Sequence, residues 1–281
     1  MSLPPLFHVD AFTDRPFTGN PAAVCLPESA PSEPWMAAMA AEMNLAETAF
    51  CWPEAEAWRL RWFTPAVEVP LCGHATVATA HVMWEEGVVA PKEAIAFETL
   101  SGRLSARADG ALIELDFPAL PPTALERGGV AELSGLFATD VAYAGVEAGG
   151  AAGERRDRAD TKALVELGSA GAVRDLRPDL AGIARLGYQG LVVTAPGDSE
   201  GVDYVLRFFA PNAGIPEDPV TGSAQCVAGP HWAARTGRQD LMAAQVSPRG
   251  GRLRVRVLGD RVAIAGHAVT VSRGRLAVEP G

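Results

Sequence analysis

The sequence predicts an α+β protein made of one domain built twice, each copy a curled, barrel-like β-sheet wrapped on a central helix. Three observations predict it. The first is an internal repeat, in which Arg61-Trp62-Phe63-Thr64-Pro65 matches Arg207-Phe208-Phe209-Ala210-Pro211 at an offset of 146 residues. Pro70 aligns with Pro216 at that offset. An insertion carrying Glu217 and Asp218 then moves the offset to 149, where Gly73 falls on Gly222, Ala75 on Ala224 and Gly102-Arg103-Leu104 on Gly251-Arg252-Leu253. A period this long reads as domain duplication and not as a solenoid. The second observation is a pair of stretches, each opening on a glycine turn, with small and apolar residues on every side, the pattern of a helix buried all round. The third is a series of short strand-forming runs broken by turn dipeptides.

In chain order, Leu6 to Phe12 reads as a strand, Asp14 to Pro21 as a loop dense in turn formers, and Ala22 to Leu26 as a strand. Ser32 is the expected N-cap of a helix reaching Met43, with Pro34 in its first turn. Trp35, Met36, Met39 and Met43 form its core-facing stripe. Leu45 to Trp52 and Arg59 to Phe63 are strands, and Thr64 to Cys72 is a proline-rich loop. The buried helix runs from Gly73 to Trp84, with Gly87 just past its end. Ala94 to Thr99, Arg103 to Ala106 and Ala111 to Phe117 are strands, the last pair joined by an Asp109-Gly110 hairpin. Pro118, Pro121 and Pro122 make a linker, so the halves are expected at 1–117 and 118–281, with the terminal strand from about 268 packing back on the first.

The second half opens with little pattern from Thr123 to Gly153, and Gly145 to Gly153 reads as a mobile loop. Ala163 to Leu167, Leu191 to Thr194 and Val202 to Phe209 are strands, and Pro178 to Leu186 is a short helix. The second small-residue helix follows Gly222, where Pro230 is expected to kink or shorten it. Arg252 to Val257 and Arg261 to Ala265 flank a Gly259-Asp260 hairpin. Ala268 to Ser272 and Arg275 to Val278 close the chain.

Bulk properties set limits. The 281 residues, 48% hydrophobic and 21% charged, suit about two ordinary globular domains. A net charge of −10 argues against nucleic acid or an anionic membrane surface as partner. The four cysteines, Cys25, Cys51, Cys72 and Cys226, show no paired spacing. That pattern predicts neither a zinc site nor a disulfide framework and fits a cytoplasmic setting. No secretory leader is read at the start, and no run is long enough to span a bilayer.

The chemistry is expected at the two helix starts. A helix N-terminus presents unpaired N–H groups and partial positive charge, which suit a carboxylate or phosphate. Gly73 and Gly222 would let such a ligand approach the backbone. His74 sits on the first turn, where it reads equally as a locally satisfied residue, and Ser223 is its repeat counterpart. Asp218, before Pro219, either favours the helix start or serves a ligand. Cys72 and its counterpart Thr221 precede the two glycines; a thiol there is either activated by the helix start or a buried, inert hydrophobe. Glu47 is the only carboxylate of its strand. Alone it reads as a residue facing water. At offset 146 it falls on Val193, so only one half carries an acid there, which favours one-base chemistry.

Several of these residues carry a family likeness. Asp10-Ala11-Phe12, Gly19-Asn20-Pro21-Ala22-Ala23-Val24, Glu47-Thr48-Ala49-Phe50, Cys72-Gly73-His74-Ala75-Thr76, Gly214 to Ala224 and Ser247-Pro248-Arg249-Gly250-Gly251 resemble the PhzF-like (phenazine biosynthesis) family over nearly the whole chain. The resemblance implies the diaminopimelate-epimerase-like fold, a site between two similar domains, no cofactor or metal, isomerase activity and a homodimer. It makes Glu47 the general acid/base, and has His74, Asp218 and Ser223 line the site and position or polarise a small carboxylate substrate. Gly73 and Gly222 would offer backbone donors. Two departures stand out: Gln225 where the family often has histidine, and Cys72 where the phenazine enzyme itself has a small residue.

The expected reaction is a proton shift between two carbons of one molecule, a small cyclic or unsaturated carboxylic acid, through Glu47. One rival is a Cys72-dependent amino-acid epimerase or hydroxyproline-type dehydratase. A second is a carboxylate-binding module with no catalysis.

Overall fold

A computed structural model describes residues 3–90, 93–137, 139–147 and 157–280. The chain divides into two compact units, Met1–Asp116 with Ala265–Gly281, and Phe117–Ile264.

The first elements are β1 (Pro5–Ala11), β2 (Asn20–Cys25), α1 (Glu33–Met43), β3 (Glu47–Glu54), β4 (Ala57–Phe63), β5 (Glu68–Val69), α2 (Gly73–Glu85), β6 (Ile95–Thr99), β7 (Gly102–Asp109) and β8 (Leu112–Pro118). They are followed by β9 (Pro122–Ala124), α3 (Arg127–Ser134), β10 (Val141–Glu147), β11 (Lys162–Leu167), α4 (Ala170–Asp175), α5 (Leu180–Arg185), β12 (Gly190–Pro196), β13 (Tyr204–Ala210), β14 (Ile215–Asp218), α6 (Gly222–Thr236), β15 (Asp240–Gln245), β16 (Gly251–Leu258), β17 (Arg261–Gly266) and β18 (Ala268–Arg275). Among the described residues no helix is long and apolar enough to cross a membrane.

In the first unit β1 pairs antiparallel with β2 and β18, β2 runs parallel to β3, β3 antiparallel to β4, β4 parallel to β6, and β6, β7 and β8 form an antiparallel run. Parallel neighbours need a crossover between them. Here α1 connects β2 to β3 and α2 connects β4 to β6. In the second unit the senses recur: β10–β11 antiparallel, β11–β12 parallel, β12–β13 antiparallel, β13–β15 parallel, β15–β16 antiparallel. The crossover between β13 and β15 is α6. Each small-residue helix is therefore the link that a parallel strand pair demands.

Burial follows. From His74 to Ala80 every residue of α2 is buried. Ser32 caps α1 by accepting from the Trp35 N–H at 3.4 Å, and Met36 and Met39 bury against Phe50, Phe63 and Leu276, with Trp35 and Met43 at the margin. Each such side chain removed from water contributes about 1.5–3 kcal/mol.

The ladders correct the alignment of the repeat. Trp62 pairs with Val69, and Phe208 pairs with Asp218. Val69 is thus the counterpart of Asp218, Glu68 of Glu217, and Pro70 of Pro219 rather than Pro216. The extra residues lie before β14, and Glu217 is not part of an insertion. Side chains agree: Arg61 donates to Glu68 at 2.6 Å and lies over the Phe63 ring, while Arg207 donates to Glu217 at 2.7 Å and lies over Phe209. Glu47 also needs reassignment. It opens β3 beside Ala22, whereas Gly190 opens β12 beside Lys162, so Gly190 and not Val193 is its counterpart.

Other expectations shift locally. Asn20 and Pro21 belong to β2, not to the preceding loop. The stretch 123–147 holds α3 and β10. Gly145 lies inside β10, and the remainder of the expected mobile loop, 148–153, falls outside the described residues. Pro230 does not shorten α6, which continues to Thr236. The proline leaves the Cys226 carbonyl without its helical donor, and the Leu120 N–H supplies one at 2.8 Å. The last two expected strands are one, β18, ending at Arg275.

Candidate functional site

In the first unit the helix start and the strand start meet. Glu47, the first residue of β3, is 8% exposed, and His74, on the first turn of α2, is 5% exposed. Glu47 Oε2 lies 3.2 Å from His74 Nε2. On the other side of the ring, His74 Nδ1 lies 3.2 Å from Asn20 Nδ2 and 3.5 Å from Cys72 Sγ. Burial pushes the His74 pKa down to about 3, so the imidazole is neutral near pH 7. Cys72 is the N-cap of α2 and makes no side-chain cap bond. The first-turn N–H groups behind it have no intrahelical acceptor, and Gly73 is partly accessible. Glu47, Cys72, Gly73 and His74 therefore form one group. The other cysteines are buried, with thiols pushed up, to about 12 for Cys25 and Cys226 and further for Cys51. Desolvation disfavours the reactive thiolate in all three.

In the second unit Asp218 ends β14 and Thr221 is the N-cap of α6. The Thr221 hydroxyl donates to Asp218 Oδ2. Gln245, 1% exposed at the end of β15, holds this turn from behind. Its Nε2 donates to the Asp218 carbonyl at 2.7 Å and to Thr221 Oγ1 at 3.2 Å, and its Oε1 accepts from the Thr221 N–H at 2.8 Å. Asp218, Thr221, Gly222 and Ser223 are thereby gathered at one helix start, with Ser223 partly exposed. Gln225, the departure from the family pattern, is fully buried and accepts from the Tyr204 hydroxyl at 2.6 Å. A glutamine there keeps the Tyr204 hydroxyl satisfied inside the unit.

One group of donors invites a metal reading. Atoms of Glu47, Cys72 and His74 lie within 4.8 Å of one another. The same group sets a carboxylate, a thiol and a neutral imidazole side by side, a set that serves acid–base chemistry equally well.

Two residues here were not singled out from the sequence. Asn20 sat in a stretch rich in turn formers, and Gln245 in a segment with no readable period. Strand neighbours bring each to the helix start of its own unit; the family motif Gly19-Asn20-Pro21 carries a signal for Asn20, and none is readable for Gln245.

The chain matches the family model described as phenazine biosynthesis-like protein over residues 9–274. It is 41% identical over 276 residues to an uncharacterized isomerase of Halalkalibacterium halodurans, covering 98% of this chain and 99% of that one. It is 47% identical over 274 residues to an uncharacterized isomerase of Pseudomonas aeruginosa, covering 96% and 97%. Among solved structures, a phenazine biosynthesis protein of the PhzF family from Enterococcus faecalis superposes with a TM-score of 0.88 at 37% identity, covering 99% of this chain and all of the other. A hydroxyproline epimerase from Agrobacterium vitis shares the fold alone, at a TM-score of 0.60 and 13% identity. With its paired small-residue helices, duplicated ladders and full-length relatives, this α+β chain has the diaminopimelate-epimerase-like fold and belongs to the PhzF, or phenazine biosynthesis-like, family of isomerases.

Proposed function

We propose that this isomerase moves a proton between two carbons of a small carboxylic acid, cyclic or unsaturated, with Glu47 as its one base and without a cofactor. The observation that carries the reading is the Glu47–His74 contact at 3.2 Å beside an uncapped helix start. The counterpart position in the second unit supports it. Gly190 has no side chain, and an added Cβ would lie 2.2 Å from Phe208 Cζ. A side chain there would have to displace the Phe208 ring, which disfavours a second base from that position. A carboxylate taking and returning a proton contributes roughly 10²–10⁴-fold. His74 holds Glu47, Asp218 and Ser223 position or polarise the substrate, and the N–H groups at Gly73 and Gly222 take its carboxylate, with Cys72 and Thr221 flanking them. A homodimer in the cytoplasm belongs to the same reading and rests on the family likeness.

The test is a screen of small unsaturated and cyclic carboxylic acids in D₂O, read by mass. Turnover by the native enzyme adds one deuterium, and Glu47→Gln lowers that rate at least 100-fold while binding persists. Undiminished exchange in Glu47→Gln would end the proposal. The Cys72 Sγ to His74 Nδ1 distance of 3.5 Å favours a second reading, a Cys72-dependent epimerase or dehydratase. In that case Cys72→Ser, and not Glu47→Gln, is the variant that stops exchange. A purely binding role is set aside by membership in a family of isomerases.

A further inference from the structure

We infer that Asn20 is a positioning residue that sets the proton inventory of the site, by fixing His74 as the tautomer whose Nε2–H faces Glu47. The inference deepens the reading of Glu47 as base and rests on it for its functional meaning, though not for its geometry.

An amide NH₂ can only donate. Asn20 Nδ2 stands 3.2 Å from His74 Nδ1, so Nδ1 accepts. Burial keeps the ring neutral, with a pKa of about 3, so it carries one proton. That proton sits on Nε2, 3.2 Å from Glu47 Oε2. Nε2 and Oε2 are close but not aligned as a hydrogen bond, so the N–H is turned toward the carboxylate side without donating to it. The opposite tautomer would set a bare nitrogen lone pair against the carboxylate oxygen.

The backbone is arranged to hold Asn20 in this role. The residue is 0% exposed and is paired with Ala11 in the β1–β2 ladder. Gly19 precedes it at φ +69°, and a Cβ there would lie 2.3 Å from the Ala11 carbonyl oxygen. Only glycine permits that turn. The ladder then carries the neighbouring Ala22 alongside Glu47. The Gly19-Asn20-Pro21 turn thus delivers one amide to one ring nitrogen, as second-layer partners of functional histidines do when they fix ring orientation and tautomer.

The experiment is ¹⁵N NMR of the histidine-labelled full chain at pH 7 without substrate, with His74→Gln to assign the signal. The expected spectrum has a bare Nδ1 and a protonated Nε2. Asn20→Asp, close in shape but unable to donate, should place a proton on Nδ1, whether the ring becomes neutral or imidazolium. It should also lower deuterium exchange 10- to 100-fold and displace the acid limb of its pH profile. Asn20→Ala provides a second variant should the aspartate not fold; it should lose the single-tautomer signature. A protonated Nδ1 in the native enzyme, or a native-like nitrogen pattern in a folded Asn20 variant, overturns the inference. Neither result depends on Glu47→Gln, so failure here and failure of the base assignment are told apart.

Discussion

His74 shows how one buried ring links stability to pH. The unfolded chain binds a proton at His74 near the ordinary value of 6.5, whereas the folded chain resists it down to about 3. Between those values the unfolded state holds more protons, so stability falls as pH falls through that window. His231 and His81 are shifted down by burial as well and act in the same direction. The melting temperature should therefore drop on acidification from pH 7 to pH 4, and His74→Gln should flatten that dependence. An unchanged slope in this variant would mean that other groups carry it.

At the start of β12 two opposing effects can be weighed. Replacing Gly190 by alanine restricts the unfolded chain, a gain of about 0.4–1 kcal/mol where the backbone tolerates it. Here the new methyl meets the Phe208 ring, which is 6% exposed and has little room to retreat. Overpacking of this kind costs about 1–3 kcal/mol, so the clash wins. Gly190→Ala should lower denaturant stability by about that amount, and Phe208→Ala in the same chain should relieve part of the added strain. Additive losses would show that the ring is not what excludes a side chain there.

The first unit is assembled from both ends of the chain. β18 pairs with β1 from Pro5 to Ala11, and Leu276 is buried beside Phe50 and Phe63. A chain ending at Ile264 loses that strand and exposes the β1 edge. Limited proteolysis should then cut within 1–116 while 117–264 resists, and a fully protected first unit would refute the dependence.

Much of this was legible in the residues because duplication writes itself into sequence. Arg61-Trp62-Phe63 and Arg207-Phe208-Phe209 are conspicuous since each arginine must bridge to a glutamate and cover an aromatic ring. The two glycine-led helices were legible because a buried crossover admits only small and apolar side chains. Less legible were α3, α4 and β15, whose short or weakly patterned segments take their form from what they pack against. Chain order and residue type alone fixed the doubled architecture and the helix starts, while the proposal of Glu47 and His74 for the chemistry came from the family likeness. Folding decided the rest: that Gly190 answers Glu47, that Glu217 is an arginine's partner, and that Asn20 and Gln245 stand behind the two helix starts. Such pairings are set by strand register and by close approach in space, and neither leaves a period along the chain.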